Sequence, residues 1–293
     1  MDEVNPIMTT GTSNSAGATQ ASTKNVLVDF EDGIAWVTLN RPDKRNAINP
    51  GLVFEMVDVL EGLEEDDRAQ VIVFTGAGDS FSAGQDLKEY FREADAGRPV
   101  DRERLYRANA DWQWRRLMHY PKPTIAMVNG WCFGGAFQLL LGCDLAIADE
   151  KAVFGLSEIN WGIIPAGIVT KSVAMALAQR TALYYILTGD SFDGKRAAEI
   201  GLVNLAVPAA ELRSAVRALA DKLIKKNPAV LRAAKSAYHH VRSMSWEQSF
   251  EYLIAKSDQT KFRDPEKGDQ KGMTQFIDEK SYRPGLETYN RKG

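Results

Sequence analysis

The chain has 293 residues, of which 44% are apolar and 26% charged, the proportions of a soluble globular protein with a sizeable core. A formal net charge of −3 supplies no general attraction to nucleic acid or to an anionic membrane surface. No stretch approaches the roughly 18 consecutive apolar residues of a membrane span.

Residues 1–24 are rich in Ser, Thr, Ala, Gly and Asn. They have neither the apolar centre of a signal peptide nor the arginines of a transit peptide, and they read as a disordered tail. The two cysteines, Cys132 and Cys143, sit in apolar runs. A structural disulfide is not expected, and a reducing, cytoplasmic location is. None of His119, His239 and His240 has a second ligand at metal-binding spacing, so no metal site is expected.

In chain order, Val26–Phe30 and Ile34–Leu39 read as two strands around the turn Glu31-Asp32-Gly33. The polar loop Asn40 to Ala47 is either a plain surface connection or, through Arg41, Lys44 and Arg45, a grip for phosphate. Pro50 opens a helix with Leu52, Met56, Val59, Leu60 and Leu63 on one face. Val71–Thr75 is a buried strand. It ends in Gly76-Ala77-Gly78, but Phe81 occupies the third glycine position of a dinucleotide fingerprint, so that motif fails.

The loop Ser82-Ala83-Gly84-Gln85-Asp86 leads into a helix near Leu87. The region from Arg98 to His119 reads as a helix whose Trp112 and Trp114 either pack inward or wall a pocket. Thr124–Val128 is a further buried strand, and Gly134-Gly135 opens a helix over Ala136–Leu141. Two loop-to-helix junctions carrying glycine are suited to aim two backbone N–H groups at one oxygen atom. Downstream, Glu158 lies between Leu156, Ile159 and Trp161. A carboxylate in such company either caps something or does acid–base work.

Beyond it, Ile168 to Leu187 reads as one apolar helix, Gly194–Ile200 as a short helix and Leu202–Val207 as a strand. From Ala209 the pattern is helical to the end, with punctuation at Pro228, Ser245 and Pro265. Strands alternating with helices first and helices alone last imply an α/β core with a helical C-terminal region.

Four motifs in this order resemble those of the enoyl-CoA hydratase/isomerase (crotonase) superfamily. They are Asn40 to Ala47, Phe81 to Lys88, Asn129-Gly130 with Gly134-Gly135, and Gly155-Leu156-Ser157-Glu158. The resemblance covers about residues 25 to 280. It implies a spiral of ββα units over residues 25–208 and a helical trimerisation region over 209–293. It also implies a homotrimer or a hexamer, an acyl-CoA thioester substrate, and no cofactor other than the CoA of that substrate. Two backbone N–H groups that stabilise a thioester enolate then match Gln85 and Gly135.

Within the superfamily, three longer stretches are most similar to the hydroxycinnamoyl-CoA (feruloyl-CoA) hydratase-lyases: Asp86 to Glu93, Pro123 to Gly135 and Phe154 to Gly162. Hydratases use two glutamates. The first falls on Gln138 here, which cannot ionise, and the second on Glu158. The lyases have a serine at the first position, so Gln138 departs from both patterns.

The resemblance implies that Glu158 is the acid–base group and that Lys44 meets a CoA phosphate. It places Ala83, Gly84, Gln85, Asp86, Leu87 and Lys88 around the adenine and pantetheine arm. Gly135, Ser157 and Trp161 line the substrate, and Tyr90 meets the ring hydroxyl. A second tyrosine, which in the lyases reaches that hydroxyl from a neighbouring subunit, falls on Ile254, which cannot hydrogen-bond a phenol. The implied reaction is hydration of a feruloyl-CoA-type ester and retro-aldol release of an aldehyde such as vanillin with acetyl-CoA. The alternatives are a hydratase or isomerase acting on another acyl-CoA, and a non-catalytic or RNA-binding member of the fold.

Overall fold

The computed structural model describes residues 24–291. The expected N-terminal tail lies, up to residue 23, outside the described residues. β1 (Val26–Glu31) and β2 (Ile34–Leu39) form an antiparallel hairpin. Asp32 (φ 46°) and Gly33 (φ 85°) at its tip take the paired positive φ of a type I′ turn. Asn49 caps α1 (Pro50–Glu65), accepting from the Leu52 N–H at 2.9 Å. α1 buries Leu52, Val53, Met56, Leu60 and Leu63.

From β3 (Val71–Gly76) the chain repeats one move: a strand in a first sheet, a short strand in a second, then a helix. β3 is followed by β4 (Ser80–Ser82) and by a helical run containing α2 (Ala94–Ala96), α3 (Pro99–Ala110) and α4 (Arg116–Met118). β5 (Thr124–Val128) is followed by β6 (Trp131–Phe133) and α5 (Ala136–Gly142). β7 (Leu145–Asp149) is followed by β8 (Val153–Gly155), α6 (Val169–Ala176) and α7 (Gln179–Thr188). β9 (Ser191–Asp193), α8 (Gly194–Glu199) and β10 (Leu205–Val207) close the two sheets.

The first sheet has the order β1-β2-β3-β5-β7-β10 and is parallel beyond the hairpin. The second has the order β4-β6-β8-β9. This is the spiral of ββα units that the sequence motifs imply.

Strand alternation divides the core between two faces. Ile34, Trp36, Val71, Val73, Ile125 and Met127 pack under Leu212, Val216 and Ala220 of α9 (Ala209–Ile224). Their alternates Ala35, Val37, Ile72, Phe74, Ala126 and Val128 pack with Leu52, Leu105 and Phe137 on the other face. Outside this core lie α10 (Pro228–Val241), α11 (Trp246–Arg263) and α12 (Gly268–Met273). A part-buried ion pair holds α10 to the spiral: Lys235 Nζ lies 2.9 Å from Asp144 Oδ2, which also accepts from the Thr124 N–H at 2.8 Å.

Several boundaries differ from the sequence expectation. The single helix expected from Ile168 to Leu187 is two, α6 and α7, separated at Leu177 and Ala178. Neither residue is a helix breaker. Both take extended backbone, Leu177 with φ −113° and ψ 155°, and the Leu177 side chain is buried. The last sheet strand is Leu205–Val207, shorter than Leu202–Val207, because the N–H groups of Leu202 and Val203 donate instead to Ala197 O. Helix also stops at Asp278 and does not run to the end.

The three histidines, far apart in sequence, come together: the His119 ring lies 5.6 Å from that of His239 and 5.5 Å from that of His240. Both cysteines are free thiols, and burial pushes both upward in pKa. Among the described residues no helix is long and apolar enough to cross a membrane, and no group of three His, Cys, Asp or Glu is placed to hold a metal ion.

Candidate active site

The loop before Leu87 is stapled to the loop after β2. Asn46, fully buried with φ 54°, donates through Nδ2 to Ser80 O (2.7 Å) and Ala77 O (2.9 Å) and accepts from the Arg41 N–H (2.9 Å). The Asn40–Ala47 segment is therefore an anchored strap and not a plain surface connection. Next to it, Ile48 bridges to Gln85 as a parallel strand would: Ile48 N–H donates to Gly84 O (2.8 Å) and Asp86 N–H to Ile48 O (2.9 Å). In that pattern the N–H of Gln85 points the other way, and it has no acceptor among the described residues.

The second loop supplies a matching donor. Gly134, with φ +51°, donates to Gly155 O at 3.0 Å. The N–H of Gly135, opening α5, belongs to the unsatisfied first turn of that helix and has no acceptor among the described residues. Gly84 (φ +84°) lets the two loops touch. A Cβ there would lie 2.7 Å from Phe133 O and 2.9 Å from the Gly135 nitrogen.

Gln113, fully buried, ties the pair from the side. Its Nε2 donates to Gly135 O and its Oε1 accepts from Gln85 Nε2, both at 3.4 Å.

Facing these donors is Glu158, in the short helix Ser157–Trp161. It is half-buried, and its Oε2 is shut off from solvent with no hydrogen-bond partner. Burial pushes its carboxyl above the usual carboxylate range. Of the three apolar neighbours named in the sequence, Leu156 is buried but Ile159 and Trp161 are exposed. The carboxylate lies against Gly134, where a Cβ would come within 3.1 Å of Oε1.

Gln85, Gly134, Gly135 and Glu158 border one cavity of about 520 Å³. Gln138 also borders it, beside Gly167, and Tyr90, Phe91, Tyr106 and Trp114 make an aromatic wall. Tyr90 stacks on Tyr106 with ring centroids 5.6 Å apart. Of the two tryptophans left open by the sequence, Trp112 is core and Trp114 is wall.

Residues 29–283 match the sequence profile of the enoyl-CoA hydratase/isomerase family. A hydroxycinnamoyl-CoA hydratase-lyase of Pseudomonas fluorescens is 56% identical over 92% of this chain and 97% of its own. The chain belongs to the enoyl-CoA hydratase/isomerase family. A 2,3-dehydroadipyl-CoA hydratase of Escherichia coli is 32% identical over 80% of this chain and 91% of its own. Among solved structures, an enoyl-CoA hydratase of Mycobacterium smegmatis superposes with a TM-score of 0.80 at 26% identity, covering 90% of this chain and 99% of its own.

Ala83, Gln85, Leu87, Tyr90, Gly135, Ser157, Glu158 and Trp161 of this family member all border the cavity. Gly84 supports it from behind. Asp86 is occupied elsewhere: it caps the helix from Leu87, accepting from the Lys88 and Glu89 N–H groups, and pairs with Arg41 at 3.0 Å. Burial alone would raise its carboxyl, but the Glu89 N–H, the Arg41 guanidinium and the Lys88 N–H hold it below the usual range.

Arg41 is held by both Asp86 and Glu89 (2.8 Å) and is not free to grip phosphate. Arg45 lies over the Trp131 ring. Lys88 is exposed beside Glu93 at 3.6 Å, outside the cavity. Lys44 is exposed with no ion-pair partner among the described residues and is available to an anion.

Asn109, Gln113 and Tyr106 were not expected from sequence. Their spacing on a helix was the available signal, but nothing local says which face meets the site. Gln113→Leu is expected to lower kcat a few-fold to about tenfold, the equivalent of about 0.5–1.5 kcal/mol of lost hydrogen bonding to the loop that carries the donor. Gly135 O still accepts from the Gln138 N–H (3.1 Å), so the melting temperature should change little. An unchanged kcat would show that Gln113 does not position the loops.

Proposed function

We propose that the protein is a hydratase-lyase for 4-hydroxycinnamoyl-type CoA thioesters such as feruloyl-CoA. The observation that carries this reading is a single unpartnered carboxylate, Glu158, facing two free backbone N–H groups in a cavity whose far wall is aromatic. The 56% identity to a protein named as a hydroxycinnamoyl-CoA hydratase-lyase supports it.

One carboxylate suffices for both steps. The N–H groups of Gln85 and Gly135 polarise the thioester carbonyl. Glu158 takes a proton from water as its oxygen bonds to Cβ, the Cα=Cβ electrons move into the thioester enolate, and Glu158 returns the proton to Cα. Glu158 then takes the proton of the new β-hydroxyl. Cα–Cβ breaks, Cβ leaves as the aldehyde, and the acetyl-CoA enolate receives the proton at Cα. Negative charge appears on the same oxygen in both steps, so one preorganised pair of donors serves both. Gln138, where hydratases carry a second carboxylate, cannot share the proton work. Lys44 and the segment from Ala83 to Lys88 would hold the CoA portion.

We further propose a homotrimer or a dimer of trimers. Neither α10 nor α11 has a fully buried residue, and α11 exposes Trp246, Phe250, Leu253 and Phe262, apolar surface of the kind that oligomer contacts cover.

Incubation with feruloyl-CoA tests the function. Aldehyde and acetyl-CoA are expected in equal amounts. Accumulation of a 3-hydroxyacyl-CoA without aldehyde would reduce the protein to a hydratase, the second reading, which Gln138 and the roughly one-third-identical hydratase relatives keep open.

A further inference from the structure

The wall formed by α3 and the π-helical turn Asp111–Arg115 brings Tyr106, Asn109, Ala110 and Trp114 to the cavity, with Gln113 beside them. Gln113 marks the thioester end, because it bonds the Gly135 carbonyl and the Gln85 side chain. Tyr106 marks the far end, stacked on Tyr90. At about 1.5 Å per residue, Asn109 lies roughly 6 Å along the axis from Gln113, and Tyr106 roughly 10 Å. An acyl chain running along this wall from the oxyanion donors would bring a ring attached two carbons from the thioester carbonyl beside Asn109 and Tyr106.

Asn109 is only 7% exposed. Its side-chain amide makes no hydrogen bond to another described residue, and its Oδ1 is wholly shut off from solvent. The cavity therefore meets the amide through its nitrogen, which is unpaired but not shut off, and an unpaired donor kept at a cavity wall points to a ligand that accepts from it. The Tyr90 hydroxyl likewise has no hydrogen-bond partner among the described residues, and burial keeps it neutral by raising its pKa. The aromatic lobe thus holds two unpaired polar groups. A phenolic hydroxyl both donates and accepts, so one such group can accept from the Asn109 amide nitrogen and pair with the Tyr90 hydroxyl.

We infer that Asn109 is a specificity-determining residue, hydrogen-bonding the ring hydroxyl of the aryl acyl group beside Tyr90. The inference rests on the aryl reading of the substrate given above. It also gives the hydroxyl a second polar contact from within the same chain, where Ile254, on the exposed face of α11, offers none. A site built to pair a hydroxyl rejects the analogue that lacks it, because the protein groups are then left unpaired.

Two saturated thioesters test this without turnover: 3-(4-hydroxyphenyl)propanoyl-CoA and 3-phenylpropanoyl-CoA, titrated calorimetrically into the wild type, Asn109→Ala and Asn109→Leu. The wild type is expected to prefer the hydroxylated ligand by about tenfold. Each variant is expected to cut that preference roughly threefold or more while binding the plain phenyl ligand within about twofold of wild type. A wild type that binds both equally overturns the inference, and so does a variant that keeps the full preference. Equal weakening of both ligands would assign Asn109 a structural role only. Neither ligand can be hydrated or cleaved, so a ring-hydroxyl preference without aldehyde from feruloyl-CoA would defeat the lyase reading and leave Asn109 in place. Aldehyde release with an unaltered preference would do the reverse.

Discussion

Glu158→Gln is expected to lower kcat on feruloyl-CoA by about 10² to 10⁴, the usual cost of removing one acid–base group, with little change in affinity for the CoA ester. Glutamine keeps the shape but carries no proton in either step, and Gln138 cannot take over. The same residue sets the pH behaviour. Burial raises the Glu158 carboxyl above the usual range, so kcat/KM should fall as pH drops through that raised value, with the acid limb less acidic than for an exposed glutamate. The limb should vanish from the residual activity of the variant.

Stability responds in the opposite sense. With its folded pKa above the unfolded one, the contribution of Glu158 is fully present below the unfolded value and is lost as pH rises through the folded value. Glu158→Gln should therefore raise the melting temperature at pH 8 and leave it nearly unchanged at pH 4. A folded variant with near-wild-type turnover would remove Glu158 from the mechanism.

Deleting the Gly135 N–H is expected to cost about 10² to 10³ in kcat, as loss of one oxyanion donor does. The backbone there already has φ −60°, close to what proline imposes, so Gly135→Pro removes the donor with little change of its own dihedral. A side chain at this position meets Gln85 first: a Cβ would fall 1.4 Å from Gln85 Oε1. The comparison is therefore made in a Gln85→Ala background, which clears that clash and keeps the Gln85 backbone donor. There, Gly135→Ala retains the N–H and should retain turnover, whereas Gly135→Pro should not. Equal kcat for the two double variants, both melting like the parent, would show that the oxyanion is held elsewhere.

Local chemistry determined a great deal about this protein. Alternating and continuous apolar runs place β1, β2, β3 and β5 to within a residue or so, because burial of a strand face is written into adjacent side chains. Asp32-Gly33, Pro50 and Gly134-Gly135 mark their turns and helix starts because positive φ, a fixed helical φ and close approach each demand particular residue types. The motif loops and the lone carboxylate could be read for the same reason.

Only the tertiary structure decided what those groups meet. Arg41 looked free to bind phosphate until Asp86 and Glu89, more than forty residues on, were seen to hold it. Ile159 and Trp161 flank Glu158 in sequence yet are exposed, while Leu156 is buried and Gly134, from another turn of the spiral, lies against the carboxylate. The three histidines met across α4 and α10. Asn109 and Gln113 were ordinary helical residues until the spiral set Asn109 in the cavity wall and Gln113 against the Gly135 loop. Hydrogen bonds and burial act over a few ångströms in space regardless of separation along the chain. The sequence could therefore name the loops and the carboxylate, and only folding could supply their partners.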